Sequence, residues 1–456
     1  MRSLLALLLL LTLGAAARDS APERALNDWL TAFNAPDRAV LERFAATRMT
    51  DPSTAYMLDM REESGGLDLV QIVTSEPTRL VAMTRERHSG LPSRVTVELE
   101  RAGSGRLASL AIRPLPVAHE AALAAMDDFA ERLAAADRFS GVIAIALNGR
   151  PIYQRAFGLA NRETGERATL DTRYFFESQG KMFTAVAVLQ LVEAGRIALD
   201  APLGTYLTDY SNAETARVTV RQLLMHTGGT GDMGIMMPEE SANRARYRTI
   251  DQIVALNANR PPAFPPGSRF DYSNHGFLLL GAIIQRVTGQ DYYDYVAEHV
   301  LRPAGMVHTS WPTMDELPRL EGIGIPYRSV DGQYRRALDV MPWRGTPAGG
   351  GITTAGDETR FIEALRSGRL ISPATVAEAT RPQTDWYGYG FVAGGLDPNF
   401  PAWGHGGMGA GSNLALTFTR HDGITFVCMA NRSANVCDRL VYNWAFHQTP
   451  EPAARR

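Results

Sequence analysis

Ser178 and Lys181 stand three residues apart at the head of an apolar run, residues 182–194, rich in Ala, Val, Leu and Phe on every face. Such a run reads as a buried helix, with Gly195 suited to its C-terminal end. Residues three apart share a helix face, so hydroxyl and amine are expected side by side at the helix N-terminus. A serine hydroxyl is a poor nucleophile until a base lies within hydrogen-bond reach. Arginine stays protonated and cannot be that base. Lysine can, once burial lowers its pKa from about 10.4 to about 7, which corresponds to about 4.6 kcal/mol of differential stabilisation. Lys181 is the one lysine among 46 basic residues; the other 45 are arginine. The helix N-terminus also presents the Ser178 N–H to developing negative charge. The spacing alone is weak, since composition puts a serine three residues before a given lysine about once in fifteen times.

Two later segments add groups of the right chemistry. Phe270-Asp271-Tyr272-Ser273-Asn274 falls in a turn between a Pro/Gly-rich stretch, residues 260–267, and a helical pattern over residues 276–287. Tyr272 offers a phenol that can relay a proton, and the Asn274 amide can orient a substrate or the lysine amine. Taken alone, Tyr-x-Asn is an ordinary turn sequence. Trp403-Gly404-His405-Gly406-Gly407-Met408 precedes the last hairpin pattern. Gly406 and Gly407 on an edge strand would let a substrate backbone approach closely, and His405 adds a polar side chain there. Taken alone, this is a glycine-rich turn with a surface histidine.

The elements that must hold these groups can be read from periodicity. Gly141–Leu147 and residues 152–157 flank Asn148-Gly149, a hairpin turn signal. Near the other end, residues 414–419 and 424–429 flank a second turn, and residues 439–447 close as a helix. Strand patterns at both ends, with a mostly helical stretch over residues 171–326 between them, predict an antiparallel sheet flanked by helices and interrupted by an inserted helical subdomain. Residues 120–137 read as an Ala-rich helix leading into this domain, placed at 118–448. Upstream, residues 22–112 read as a separate small α+β domain. Ala25, Leu26, Trp29, Leu30 and Phe33 keep helical spacing, a second short helix follows around Leu41, and four strand-like runs come after it. The order loosely resembles the cystatin-like or NTF2-like cone. Arg113-Pro114-Leu115-Pro116 is the expected linker.

Composition narrows the partners. Net charge is −3 and no basic cluster suggests nucleic acid. Arg2, an apolar stretch from Leu4 to Leu13 and Ala15-Ala16-Ala17 form a signal-peptide pattern. Residues 1–17 are expected to be removed and the chain exported, to a periplasmic or extracellular location, with no membrane span remaining. Export makes a Cys428–Cys437 disulfide chemically possible, and two buried thiols are the alternative. No His/Cys/Asp cluster has metal-ligand spacing, and no metal or cofactor is implied.

Together and in this order, Ser-x-x-Lys, Tyr-x-Asn and His-Gly-Gly resemble the three motifs of the serine β-lactamase and penicillin-binding-protein superfamily. The closest likeness is to class C β-lactamases, D-alanyl-D-alanine carboxypeptidases, D-aminopeptidases and related esterases. Leu223-Leu224-Met225-His226-Thr227-Gly228-Gly229 and Gly349-Gly350-Gly351-Ile352-Thr353-Thr354 look familial too. The resemblance implies a β-lactamase-like α/β (α+β) fold and an acyl-serine intermediate on Ser178. Lys181 and Tyr272 would share the proton, Asn274, His405, Gly406 and Gly407 would contact substrate, and the N–H groups of Ser178 and Met408 would form the oxyanion hole. His226 would be structural. One departure matters: the third motif usually begins with lysine, whose cation helps bind a substrate carboxylate. His405 is charged only in part near neutral pH. This favours a peptidase, amidase or esterase acting on small amides or esters, D-amino-acid peptides among them. A true β-lactamase or penicillin-binding protein is the alternative within enzymes, and a non-catalytic binding protein that keeps the fold is the alternative outside them.

Overall fold

The computed structural model describes residues 20–236, 246–394, 401–420, 422–432 and 435–448. The signal-peptide pattern at 1–17 lies outside the described residues. The chain forms two compact units, one of residues up to Ala125 together with 446–448, the other of Met126–Ala445.

In the first unit three helices precede a sheet. Helix α1 (Ala21–Phe33) starts at Ser20, whose hydroxyl accepts from the Glu23 N–H while the Glu23 carboxylate accepts from the Ser20 N–H. This reciprocal cap satisfies two donors that a helix start leaves free. Ala25, Leu26, Trp29, Leu30 and Phe33 are the buried stripe predicted from their spacing. Helix α2 (Arg38–Arg48) follows. Helix α3 (Ala55–Ser64) carries almost no apolar periodicity, so its sequence gives no helical signal. Strands β1 (Leu67–Ser75), β2 (Arg79–Glu86), β3 (Pro92–Leu99) and β4 (Leu107–Pro114) form an antiparallel sheet in that order. Pro114 ends β4 and the Leu115 N–H donates to the Pro92 carbonyl, so the expected linker begins inside the sheet.

Helix α4 (His119–Ala135) leads into the second unit. Its central sheet is assembled from both ends of the domain. Strands β5 (Gly141–Leu147) and β6 (Arg150–Phe157) are joined by Asn148-Gly149, with φ of +47° and +77°, the left-handed pair a two-residue hairpin needs. Strands β7 (Val392–Ala393), β8 (Ala402–Gly409), β9 (Ser412–Thr419) and β10 (Ile424–Ala430) come from the far end, and the sheet order is β7-β8-β9-β10-β5-β6. The strands of β10 and β5 are buried along their whole length apart from Leu147, as expected of a sheet centre covered on both faces.

Between the two halves lie helix α5 (Lys181–Glu193) and helix α6 (Asn274–Thr288), both within the predicted helical insertion. The insertion runs further than residue 326. It includes a hairpin at Tyr327–Arg336 and helix α7 (Ala355–Arg366), which packs into the same core as α5, α6 and the sheet. Helix α8 (Val436–Phe446) closes the domain. The sequence patterns foretold the antiparallel sheet, its covering helices and the insertion; they missed the extra hairpin because its strands, Tyr327–Val330 and Gln333–Arg336, are largely exposed and polar.

Cys428 in β10 and Cys437 in α8 form a disulfide, with Cα atoms 5.2 Å apart and both residues fully buried. Closing so short a loop stabilises by about 2.5 kcal/mol in the chain-entropy model. The Cys428→Ala/Cys437→Ala double variant is expected to lose about that amount in denaturant melts. Equal stability of the two proteins would remove this role. Because the sulfurs are shielded, mild reductant is expected to leave the native protein oxidised until it unfolds.

Candidate active site

Ser178 sits in a tight 3-10 turn, Glu177–Gly180, that runs directly into α5. The helix therefore begins at Lys181, and the i, i+3 relation places the Lys181 Nζ 3.2 Å from the Ser178 Oγ. The amine is fully buried. It also donates to the Asn274 Oδ1 at 2.7 Å and to the Ala348 carbonyl at 2.8 Å. Burial brings its pKa down to about 7, against a smaller opposing pull from the charges of Asp232 and Glu177. A neutral amine has two N–H bonds and one lone pair. With Asn274 and Ala348 taking the two N–H bonds, the lone pair faces the Ser178 hydroxyl.

The Tyr272-Ser273-Asn274 segment is a helix start. Ser273 caps α6 by accepting from the Gly276 N–H at 2.9 Å, so Asn274 is the first helical residue, two earlier than predicted. His226 fixes the segment from behind. Its Nδ1 accepts from the Ser273 N–H at 2.9 Å, and its ring lies 4.2 Å from that of Tyr272. Burial, followed by the nearby Lys181 and His405, holds His226 well below the ordinary histidine range, so it is a neutral acceptor. The ring of Tyr272 faces the Lys181 Nζ at 4.8 Å, and its hydroxyl is hydrogen-bonded to the Ser178 side chain. Burial raises the phenol above its usual value, more than the Ser178 contact lowers it, so it stays protonated. The Asn274 Nδ2 donates to the Asp232 Oδ1 at 2.9 Å, which fixes the amide with its oxygen towards Lys181.

The third motif departs from expectation in three ways. His405 is 5 % exposed and is no surface histidine. Its Nδ1–H donates to the Gly406 carbonyl and its Nε2 accepts from the Tyr387 hydroxyl at 2.9 Å, an arrangement for neutral imidazole. Burial, then the charge of Lys181, takes its pKa down to about 3. The glycines also have a nearer reason than a substrate. A Cβ on Gly407 would collide with the Phe176 carbonyl, so the strand's bareness first lets β8 lie against the nucleophile turn; Gly406 faces Leu414 and Asp438. Strand β8 is not a plain edge strand either, since β7 pairs with Trp403 and Gly404. Met408, beyond that pairing, is 60 % exposed and shares with Ser178, Glu177, Asn274 and Met341 a cleft of about 160 Å³.

Three contributors were not singled out in the sequence. The Ala348 carbonyl is a backbone group, invisible to residue type. Asp232 lies in a turn with no pattern around it. Glu358 on α7 accepts from the Gln179 Nε2 at 2.7 Å, just behind the nucleophile. Both residues are fully buried, and the remaining oxygens, Glu358 Oε1 and Gln179 Oε1, accept no hydrogen bond. Burial raises the Glu358 carboxyl well above the usual range, with Thr353 opposing and Asp357 reinforcing. Protonation of Glu358 would give this pair a donor that its two unpaired oxygens lack. Among the described residues no three His, Cys, Asp or Glu side chains gather as metal ligands.

A family model described as Beta-lactamase matches residues 126–445. Esterase EstB of Burkholderia gladioli is 32% identical over 304 residues, 60% of this chain and 76% of that protein. A penicillin-binding protein from Bacillus halodurans superposes with a TM-score of 0.62 at 28% identity, covering 68% of this chain and 96% of that one. A D-stereospecific amidohydrolase from Streptomyces sp. does so with 0.59 at 28% identity, covering 69% and 96%.

The Glu358–Gln179 pair gives a prediction with a definite sign. The folded state holds the Glu358 proton more tightly than the unfolded state does. Its contribution is therefore full below the ordinary carboxylate pKa and is lost as pH rises through the raised folded value. Glu358→Gln carries the donor permanently. Its melting temperature relative to wild type is expected to climb as pH rises from 5 to 9. A variant that is less stable by the same margin at every pH would refute the protonated pair.

Proposed function

The chain belongs to the beta-lactamase family, and from that premise we propose that it is a hydrolase of small amides and esters acting through an acyl-serine on Ser178. The observation that carries this reading is the hydrogen-bond set of Lys181, which leaves its lone pair to Ser178. The Ser178 Oγ attacks the substrate carbonyl as its proton passes to the Lys181 amine. The carbonyl oxygen becomes an oxyanion, received by the N–H groups of Ser178 and Met408. Collapse breaks the bond to the amine or alcohol, which leaves with the Tyr272 proton, and the Lys181 ammonium restores the phenol. Water then enters by the reverse path, giving up a proton to the same pair and releasing the acid.

Asn274 acts as the anchor of Lys181 and, with Met408, as a wall for substrate. His405 serves as a neutral prop for the Tyr272 region through Tyr387, a role its hydrogen bond to the Tyr387 hydroxyl supports. A neutral third motif provides no cation for a β-lactam carboxylate, and this supports the amide and ester side. The esterase and D-stereospecific amidohydrolase activities named for two relatives support it as well. The same reading includes export directed by residues 1–17, residues 22–112 as a packing or binding module, and a hydrolase domain at 118–448. No helix among the described residues is long and apolar enough to cross a membrane.

A fluorophosphonate probe is expected to label wild type and not Ser178→Ala; an unlabelled wild type of intact fold would end the proposal. Turnover of p-nitrophenyl esters and amino-acid amides is expected to exceed that of nitrocefin. Because the neutral amine is the active form, kcat/KM is expected to rise with pH through about 7. Lys181→Arg, permanently charged, is expected to lower kcat by about 10²–10⁴-fold and abolish that rise.

A further inference from the structure

Glu177, immediately before the nucleophile, has a left-handed backbone (φ +48°), which is uncommon outside glycine. That turn sends its side chain back along β8. The carboxylate lies against Gly409, at a place a side chain on that residue would fill. Ser412, across the β8–β9 turn, donates to its Oε1. The group is half-buried and forms part of the wall of the cleft that contains Ser178 and Met408. Asp232 flanks the other side through Asn274. Among the described residues of the cleft wall there is no arginine, in a chain with 45 of them. Lys181 is neutral in its working form and His405 is neutral. Burial raises the Glu177 carboxyl above its usual range, with the Ser412 hydrogen bond and the Lys181 charge opposing, and a bound ammonium would favour its charged form. The acidic groups around the cleft therefore favour a cation.

The strand sets where that cation must lie. The Met408 N–H is the proposed oxyanion donor, and the next residue, Gly409, lies beside the Glu177 carboxylate. An acyl group that continued from the carbonyl along β8, past Met408, would bring its first substituents against that carboxylate. We propose that Glu177 accepts hydrogen bonds from an ammonium group on the acyl half of the substrate, close to the scissile carbonyl. The substrates are then amides or esters of amine-bearing acids, such as an amino acid or the first residue of a peptide. This rests on Ser178 being the nucleophile.

The test compares p-nitroanilides of D- and L-amino acids with a free amine against their N-acetyl counterparts, in wild type and in Glu177→Gln, with thermal melts to verify folding. Wild type is expected to favour the free amine by at least about tenfold in kcat/KM, the size expected of one charge-assisted hydrogen bond. In Glu177→Gln that ratio is expected to fall at least about tenfold, chiefly through KM. A purely structural Glu177 would lower both substrates alike and leave the ratio unchanged, which would overturn the proposal. A wild type that shows no preference for the free amine would overturn it without any variant. Fluorophosphonate labelling of Ser178 keeps the two readings apart. Labelling without amine preference sinks the role of Glu177 alone, whereas loss of labelling sinks the hydrolase reading beneath it.

Discussion

The site depends on one buried amine. Holding Lys181 in a dry interior costs the ammonium form its hydration, and the fall of its pKa to about 7 corresponds to roughly 5 kcal/mol between its two states. Two acceptors, the Asn274 amide oxygen and the Ala348 carbonyl, keep the neutral amine satisfied and set its orientation. Remove either, and the lone pair is free to turn from Ser178. The two nearby carboxylates keep the pKa from falling further. The base thus stays close to neutrality, where a proton can be taken and returned with little penalty either way.

Much of the packing serves that orientation. Ala348 belongs to a segment pinned by Thr184 of α5, which donates to the Pro347 carbonyl, and by Phe176, whose N–H donates to the Gly351 carbonyl. Gly349, at φ +140°, passes so close to the Glu177 carbonyl and the Ser178 N that a Cβ would collide with them. Gly407 is bare for the same turn, approached from the sheet side. Asn274 is held from the opposite direction by the Ser273 cap, the His226 acceptor and Asp232. Four stretches far apart in sequence meet within a few ångströms of Ser178, an arrangement that depends on a sheet closed from both ends of the domain.

The sequence made some of this legible. The Ser178–Lys181 pairing followed from helical spacing, and a fully apolar run correctly marked α5 as buried. Tyr272 and Asn274 were legible as chemistry but not as geometry, because a serine cap looks like any turn serine until the next helix is seen to start on it. His405 was misjudged for a physical reason. A histidine between glycines reads as exposed, and only the three-dimensional neighbours, Tyr387 and Lys181, make it buried and neutral. Ala348 could not be found at all, since a backbone carbonyl leaves no mark in residue type. Glu358 and Gln179 were hidden differently, since a buried acid and a surface acid are the same letter.

The neutral third motif and the acidic cleft belong to one electrostatic design. A lysine at position 405 would sit near Lys181 in the same low-dielectric interior and would push the base further towards its neutral form. Here a histidine fixed between Tyr387 and the Gly406 carbonyl fills that space without charge. The field at Ser178 is then set by Lys181, Glu177 and Asp232, one base and two acids. Such a site has no attraction for a substrate carboxylate on the His405 side and a standing attraction for a cation on the Glu177 side. The change of one motif residue and the placement of one carboxylate thus move substrate choice in the same direction while leaving the chemistry at the serine as it was.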